Sequence, residues 1–313
     1  MGLKEHIHIK EAAKIYFKTL PFILLRFVLI LLFIALAIIF FSSVFGVAIG
    51  KIGFSDIIKS VLSISAIAGS TVFFFGLYKL FSRYIFYLVK AAHISVIVEY
   101  IEKGKTPRLQ LIHGFKRLKS RFVSTTIIFV VDRLLDLVLK EVHKKLMETA
   151  KLYKVPRPLS YILSGVIHNS ISYVDEAIIA YMFMKGKEEA WQSAKDGITL
   201  YVKNWKWIIL AATILSFVIY GVMSVFGFYI YFEGIPFESM TLIIQSIYTT
   251  LVAGVVIVLF SGFVQPFIEI SIIVTYLREI KDQKPDSETF EWLKNNSNTF
   301  KKLIVKEGAK VAF

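Results

Sequence analysis

Long uncharged apolar runs alternate with polar intervals along this chain, on a length scale that a bilayer sets. Phe27–Gly50 is 24 residues without a charge, Ser60–Tyr78 is 19, Trp207–Phe232 is 26 and Ser239–Ile268 is 30. About 20 apolar residues in a helix cross a hydrocarbon core of about 30 Å, so each run predicts one spanning helix. Two more spans are predicted from runs that charges interrupt. Arg121–Lys140 carries Asp132, Arg133 and Asp136, and Pro158–Met184 carries His168, Asp175 and Glu176. Pro156 and Pro158 separate the two, because a proline pair ends one helix and precedes the next. The expected fold class is all-α: a polytopic membrane protein with six transmembrane helices in three hairpins, joined by amphipathic interfacial linker helices.

Residues 1–19 predict an amphipathic helix at the interface, with Ile7, Ala12, Ile15, Tyr16 and Phe17 available to lie on lipid. Residues 20–285 form the expected membrane domain, in units of roughly 20–121, 122–205 and 206–285. Residues 286–313 predict a cytoplasmic amphipathic helix. The first apolar run exceeds a secretory h-region and follows Lys4, Lys10, Lys14, Lys18 and Arg26, so it reads as a retained anchor. Asp56–Lys103 is 48 residues without proline. One helix of that length would run about 70 Å, more than twice the hydrocarbon core. Its far half, Lys79–Lys103, is amphipathic, with Lys79, Arg83 and Lys90 on one face. That half is expected to leave the membrane or to lie along its inner surface.

Three stretches after the even-numbered spans resemble one another. They are Tyr100-Ile-Glu-Lys-Gly-Lys-Thr-Pro107, Tyr181-Met-Phe-Met-Lys-Gly-Lys187 and Tyr276-Leu-Arg-Glu-Ile-Lys-Asp-Gln-Lys-Pro285. Each reads as a helix end, a Gly/Lys/Pro turn and then a basic amphipathic helix. The expected organisation is therefore an inverted or tandem repeat, a pattern common in transporters and in other membrane proteins.

Residues from about 109 to 215 resemble the middle of the choline-transporter-like family. The resemblance rests on Gly114-Phe-Lys-Arg-Leu118 running into Phe129-Val-Val-Asp-Arg-Leu-Leu135, then Ser193-Ala-Lys-Asp196 with Leu200 and Lys203-Asn204. The Gly-Lys linkers are also similar to those of six-span prokaryotic membrane families, including the membrane part of some glycerophosphodiester phosphodiesterases. The chain departs from the choline-transporter-like pattern in having no cysteine-bearing extracellular region and fewer than ten spans. The resemblance implies a polytopic protein of transport type.

Composition agrees with the span pattern. Apolar residues make up 56%, charged residues 19%, and the mean hydropathy is +0.65. Soluble enzymes, disulfide scaffolds and free nucleic-acid-binding domains are excluded on that ground. Lys and Arg number 37 against 23 Asp and Glu, a balance of +14 that the positive-inside rule explains without nucleic acid. From Lys79 to Arg121 there are ten basic and two acidic residues, which marks the cytoplasmic side. Lys185–Lys206 (five against three) falls on the same side, and the basic-free Glu233–Glu238 loop outside. Both termini are then cytoplasmic, in the plasma membrane of a prokaryotic cell. One segment disobeys: Lys140–Arg157, with six basic and two acidic residues, should be outside in a six-span chain. Cysteine is absent, which removes disulfides, thiolate metal sites and a cysteine nucleophile.

Ionisable groups at membrane depth cost about 2.5–3.5 kcal/mol on insertion scales and so mark candidate sites. Tyr161, His168, Ser172, Asp175 and Glu176 lie mostly along one face of the fourth predicted span, and Asp132 and Asp136 share a face of the third. Ser261, Gln265 and Glu269 recur at fourth positions around Pro266, where a freed carbonyl favours a kink. Asp132, Asp136, His168, Ser172, Asp175, Glu176, Gln265 and Glu269 are the candidates for a solute or ion path. The same groups can instead be structural ion pairs. Lys79, Arg83, Lys90, Lys116 and Arg117 are the candidates for lipid headgroups. Metalloprotease, serine-hydrolase and P-loop motifs are missing, so no enzyme, metal site or cofactor is expected. The leading expectation is transport of a small cationic or amine-bearing solute by a homo-oligomer among membrane lipids. Its rival is a non-transporting scaffold or lipid-interacting protein with structural buried charges.

Overall fold

Amphipathic and wholly apolar helices follow one another in the order that the hydropathy pattern predicts, and no strand occurs among the described residues. The computed structural model describes residues 8–51, 57–121, 125–149, 173–186, 190–233 and 241–311. Helix α1 (Ile9–Lys18) buries Ala12 and Ile15 and leads into α2 (Leu20–Lys51). Helix α3 (Ile57–Lys103) returns antiparallel, followed by the short α4 (Gln110–Arg121) and by α5 (Thr125–Thr149). Then come α6 (Val174–Met184) and α7 (Ala190–Glu233). Helix α8 (Leu242–Leu259) passes through a π-helical turn (Phe260–Val264) into α9 (Gln265–Glu279). The chain closes with α10 (Ser287–Asn296) and α11 (Asn298–Val311).

Among the described residues, four stretches are long and apolar enough to cross a membrane: Leu20–Ser42, Ala68–Lys103, Ala190–Tyr229 and Ile244–Glu279. The other two expected spans look different. Helix α5 is interrupted by Asp132 and Arg133 and carries Asp136, Lys140, Glu141, Lys144 and Lys145 beyond them. Helix α6 begins only at Val174 and has 11 residues, about 16 Å, too short to cross by itself. Residues 150–172, which hold most of the fourth predicted span, lie outside the described residues.

The molecule divides into a packed base and two apolar arms. The base gathers α1, α4, α6 and α9 with the second half of α3 and the first half of α7. Its interior holds Ile94, Ile97, Ile178, Ile198, Tyr201, Ile272 and Tyr276, each no more than 2% exposed. Helix α3 runs unbroken into this base. From Ala91 to Tyr100 every residue is buried, so this part of its far half is enclosed by protein and does not lie along a surface, one of the two placements expected for it, while Lys79–Tyr84 stays largely exposed. Small and β-branched side chains on all faces of that stretch allow neighbouring helices to approach from every direction. Helix α5 and the C-terminal α10 and α11 pack on the flank of α7.

The arms are two antiparallel pairs. Helices α2 and α3 meet through Phe40 stacked on Phe74 at 4.0 Å and Phe33 edge-on to Tyr78 at 5.3 Å. Helices α7 and α8 meet where Tyr220 stacks on Phe260 at 5.2 Å. Elsewhere the arms present bare apolar faces, including Val72, Phe73, Val225, Phe228, Leu242 and Leu251. A surface of that extent is suited to lipid.

The three Tyr-led stretches end their helices alike. The carbonyls of Tyr100, Tyr181 and Tyr276 accept from Gly104, Lys185 and Ile280, and the chain then turns through Gly104, Gly186 and Asp282 at positive φ. Past the first turn, α4 lies so close on α3 that a Cβ at Gly114 would sit 2.7 Å from the Ala92 carbonyl oxygen. Past the second, the Gly197 carbonyl accepts from the Tyr276 hydroxyl at 2.8 Å.

Candidate functional site

Where the arms enter the base, charged groups from four helices converge. Arg26 is a lone cation in the apolar opening of α2, and its Nη1 donates to Glu269 Oε2 on α9 at 2.6 Å. Both side chains are under 10% exposed. Lys90 of α3 pairs with Glu176 of α6, and its Nζ lies 3.6 Å from Glu269 Oε1. Gln265 Nε2, one turn before Glu269, donates to the same Oε1 at 3.2 Å. Two carboxylates and two cations thus form an alternating chain, Arg26–Glu269–Lys90–Glu176, that neutralises itself. Arg26 Nη2 and Glu176 Oε2 are buried and have no hydrogen-bond partner among the described residues.

Local structure explains how these groups meet. Asp175 and Glu176 stand in the first turn of α6, where the helix dipole favours carboxylates, and Asp175 Oδ1 accepts from the Glu176 amide at 3.0 Å. Pro266 has no N–H, and the helix opens just before it. The Gln265 amide donates to Phe260 five residues back, giving a π turn where a kink is expected. Gly262 lies in that turn against the Phe27 ring, and Phe27 and Phe263 centroids are 4.7 Å apart. Seating Phe27 there places its neighbour Arg26 over Glu269.

The candidates from the sequence are only partly united. Glu176, Gln265 and Glu269 share the network, with Asp175 at its edge. Asp136 is elsewhere, on α5, bound to Lys140 one turn on at 2.9 Å and half-exposed. Asp132 is a position of the same helix, while His168 and Ser172 lie outside the described residues. Among the headgroup candidates, Lys79, Arg83 and Lys116 are exposed. Lys90 instead turns to Glu176, because the face of α3 that is open at Lys79 and Arg83 is covered by α6 about two turns beyond Arg83. Arg117 clamps α4 to α3, donating to the Ser95 carbonyl at 2.9 Å and to Glu102 at 3.1 Å.

Several site groups were not singled out from the sequence. Arg26 was read only as one of the positive charges ahead of the first span, although a single arginine in an otherwise apolar stretch is itself a signal for a buried partner. His93 stacks on Phe22 at 5.1 Å and meets the Thr19 hydroxyl at 2.8 Å, locking α2 to α3. Glu99 accepts from His113 at 2.5 Å and Lys103 at 3.0 Å. Glu141 of α5 caps α11, accepting from the Ser297 and Thr299 hydroxyls at 2.6 Å each and from the Thr299 amide at 3.1 Å. Partial burial opposes its charge, but those bonds outweigh it and hold the carboxyl below its ordinary pKa.

No group of His, Cys, Asp and Glu among the described residues is arranged to hold a metal ion. The cavities there open sideways between helices. One of about 540 Å³ lies between α7 and α8, lined by Tyr220, Met223, Gly227, Ala253 and Val256. Another, of about 580 Å³, lies along α3 and faces Arg133 of α5. Comparison with protein-family models, with curated proteins and with solved structures finds no match to this chain.

Proposed function

We propose that this chain is a non-transporting, lipid-interacting protein of a prokaryotic plasma membrane, crossing it four times with both termini in the cytoplasm. Four spans place residues 104–189 on one side, so the basic segment Lys140–Arg157 no longer contradicts the positive-inside rule. The two outer turns, 51–56 and 233–240, then hold one basic residue between them, Lys51. Helices α3 and α7 have 47 and 44 residues, about 70 and 66 Å, so roughly half of each stands in the bilayer and half builds the base.

One observation carries the functional reading. The deep carboxylates that would draw a cation through the protein, Glu176 and Glu269, are matched by Arg26 and Lys90, whereas the cavities open laterally onto apolar faces. Charges paired in this way hold helices in register, and lateral grooves of this size accept acyl chains. The absence of cysteine makes the test direct. Single cysteines at Ile179, Ser261 and Gln265 should resist water-soluble thiol reagents in proteoliposomes. Tetramethylammonium uptake should equal that of empty vesicles. Saturable uptake that Glu269→Gln abolishes would overturn the reading.

A second reading, permeation of a small cation or amine-bearing solute, draws on the π turn beside Gln265 and on the unsatisfied Arg26 Nη2 and Glu176 Oε2. π turns inside helices are frequent at functional sites. The same uptake measurement decides between the two.

A further inference from the structure

The cavity along α3 has a chemistry that the buried network does not use. Gly76, Lys79, Leu80, Arg83 and Tyr84 line it from α3, and Arg133 faces them from α5. Positions 76, 79/80 and 83 recur at helical spacing, so one face of α3 forms the wall. Lys79, Arg83 and Arg133 are all exposed, which brings three cations from two helices around one opening. The adjoining surface is apolar: Val72, Phe73, Leu80 and Phe81 are 56–73% exposed. Gly76 leaves a notch in it, since a Cβ built there meets nothing within 4 Å.

The depth of the site matters as much as its charge. The uncharged run of α3 ends at Tyr78, and Lys79 and Arg83 are the first cations beyond it. They therefore stand at the level of the phosphates in the inner leaflet, where the proposed topology puts the positive side. A soluble anion would use the cations and leave the apolar wall and the notch empty. A two-tailed lipid would use both.

We infer that this cavity is a binding site for an anionic glycerophospholipid, with its phosphate held by Lys79, Arg83 and Arg133 and an acyl chain laid along Gly76 and Phe73. The inference rests on the proposed lipid-interacting reading and names the lipid class and its seat. The groove exceeds 500 Å³, ample for a headgroup and the first part of a chain. Zwitterionic lipids carry the same phosphate but add a headgroup cation that Lys79, Arg83 and Arg133 repel, so the site discriminates by net headgroup charge.

The test uses the full chain, delipidated in detergent and titrated with phosphatidylglycerol or phosphatidylcholine, with bound lipid counted by native mass spectrometry. Wild type should prefer phosphatidylglycerol by about tenfold, a modest share of what three cations near a surface supply. The triple variant Lys79→Gln, Arg83→Gln, Arg133→Gln should bind both lipids alike. The triple Lys79→Arg, Arg83→Lys, Arg133→Lys should keep the preference, as should Lys301→Gln with Lys302→Gln on the exposed start of α11. Gly76→Leu fills the notch without removing a charge, from a Cβ that meets nothing within 4 Å, and it should weaken both lipids several-fold. Millimolar inorganic phosphate should not compete, whereas competition would assign the cations to a free anion and overturn the lipid site. Equal retention of phosphatidylglycerol by wild type and the glutamine triple would also overturn the site while leaving the lipid-interacting reading in place. A wild-type chain that binds neither lipid would instead end that reading.

Discussion

Helix α3 lives in two environments, and its two halves are similarly apolar. Between Val72 and Phe81 it shows Val72, Phe73, Phe75, Leu77, Leu80 and Phe81 to the outside. Between Ala91 and Tyr100 it shows almost nothing. The outer half is built from large rings and leucines, whereas the inner half reads Ala-Ala-His-Ile-Ser-Val-Ile-Val. Hydropathy therefore does not separate a protein-facing helix from an exposed one. Side-chain volume and shape do, because close helix contacts need small or β-branched surfaces and the surrounding lipid does not.

Substitutions at matched positions should sharpen that contrast. The largest effect is expected at the charge network where the halves meet. Glu269→Leu leaves Arg26 buried without its partner and should cost about 3–5 kcal/mol, read as a loss of folded protein in a detergent melt. Adding Arg26→Met should recover much of it, and an unrecovered double variant would show that packing, not charge pairing, governs the joint. Next in size is a glycine pair. Gly114→Ala drives a methyl into the Ala92 carbonyl and should cost about 1–3 kcal/mol. Gly221→Ala, in an arm with nothing within 4 Å, should gain about 0.5–1 kcal/mol through helix propensity. Equal melting temperatures for the two variants would erase the distinction between base and arm.

The smallest effect is pH-dependent and confined to the edge of the base. Glu141 titrates below its ordinary value of about 4.5 because it caps α11. Its folded-state pKa is depressed, so its contribution is fully present above the unfolded value and is lost as pH falls through the folded one. Wild type should melt above Glu141→Gln by the equivalent of about 1 kcal/mol at pH 6. That lead should shrink as the pH falls below about 4.5 towards the lowered folded-state pKa. A lead that stays constant to pH 3 would remove the carboxylate from the account.

Much of the architecture was legible because apolar run length is a physical constraint. Phe27–Gly50 and Trp207–Phe232 could be little else than long apolar helices, and the amphipathic α1 was visible in its alternating lysines and apolar pairs, although Ala12 and Ile15 pack on α9 and not on lipid as expected. The turns at Gly104 and Gly186 were legible for the same reason, since a left-handed residue ends a helix and glycine adopts it without strain. Partnership was not legible. Lys79, Arg83 and Lys90 share a face by spacing, yet Lys90 meets Glu176 across 86 positions of sequence and the other two meet none of the network. Nothing local in Arg26 names Glu269. Asp136 and Glu176 looked alike as charges in apolar runs. One is satisfied within its own helix by Lys140 and the other by a residue on α3, a difference that only tertiary packing creates.

The tie between α1–α2 and the π turn and α9 has a consequence for biogenesis. Arg26 waits for Glu269, Tyr16 donates to the Phe263 carbonyl, and Glu11 pairs with Arg278. Each bond joins residues more than 240 positions apart. A ribosome making some 5–20 residues per second therefore exposes α2 to the insertion machinery for roughly 12–50 s before its counter-charge emerges. During that interval α2 must be held with a naked guanidinium near its N-terminal end. Completion of the joint is then a late event in synthesis, and a chain cut off before α9 would leave Arg26 and Glu11 without their partners.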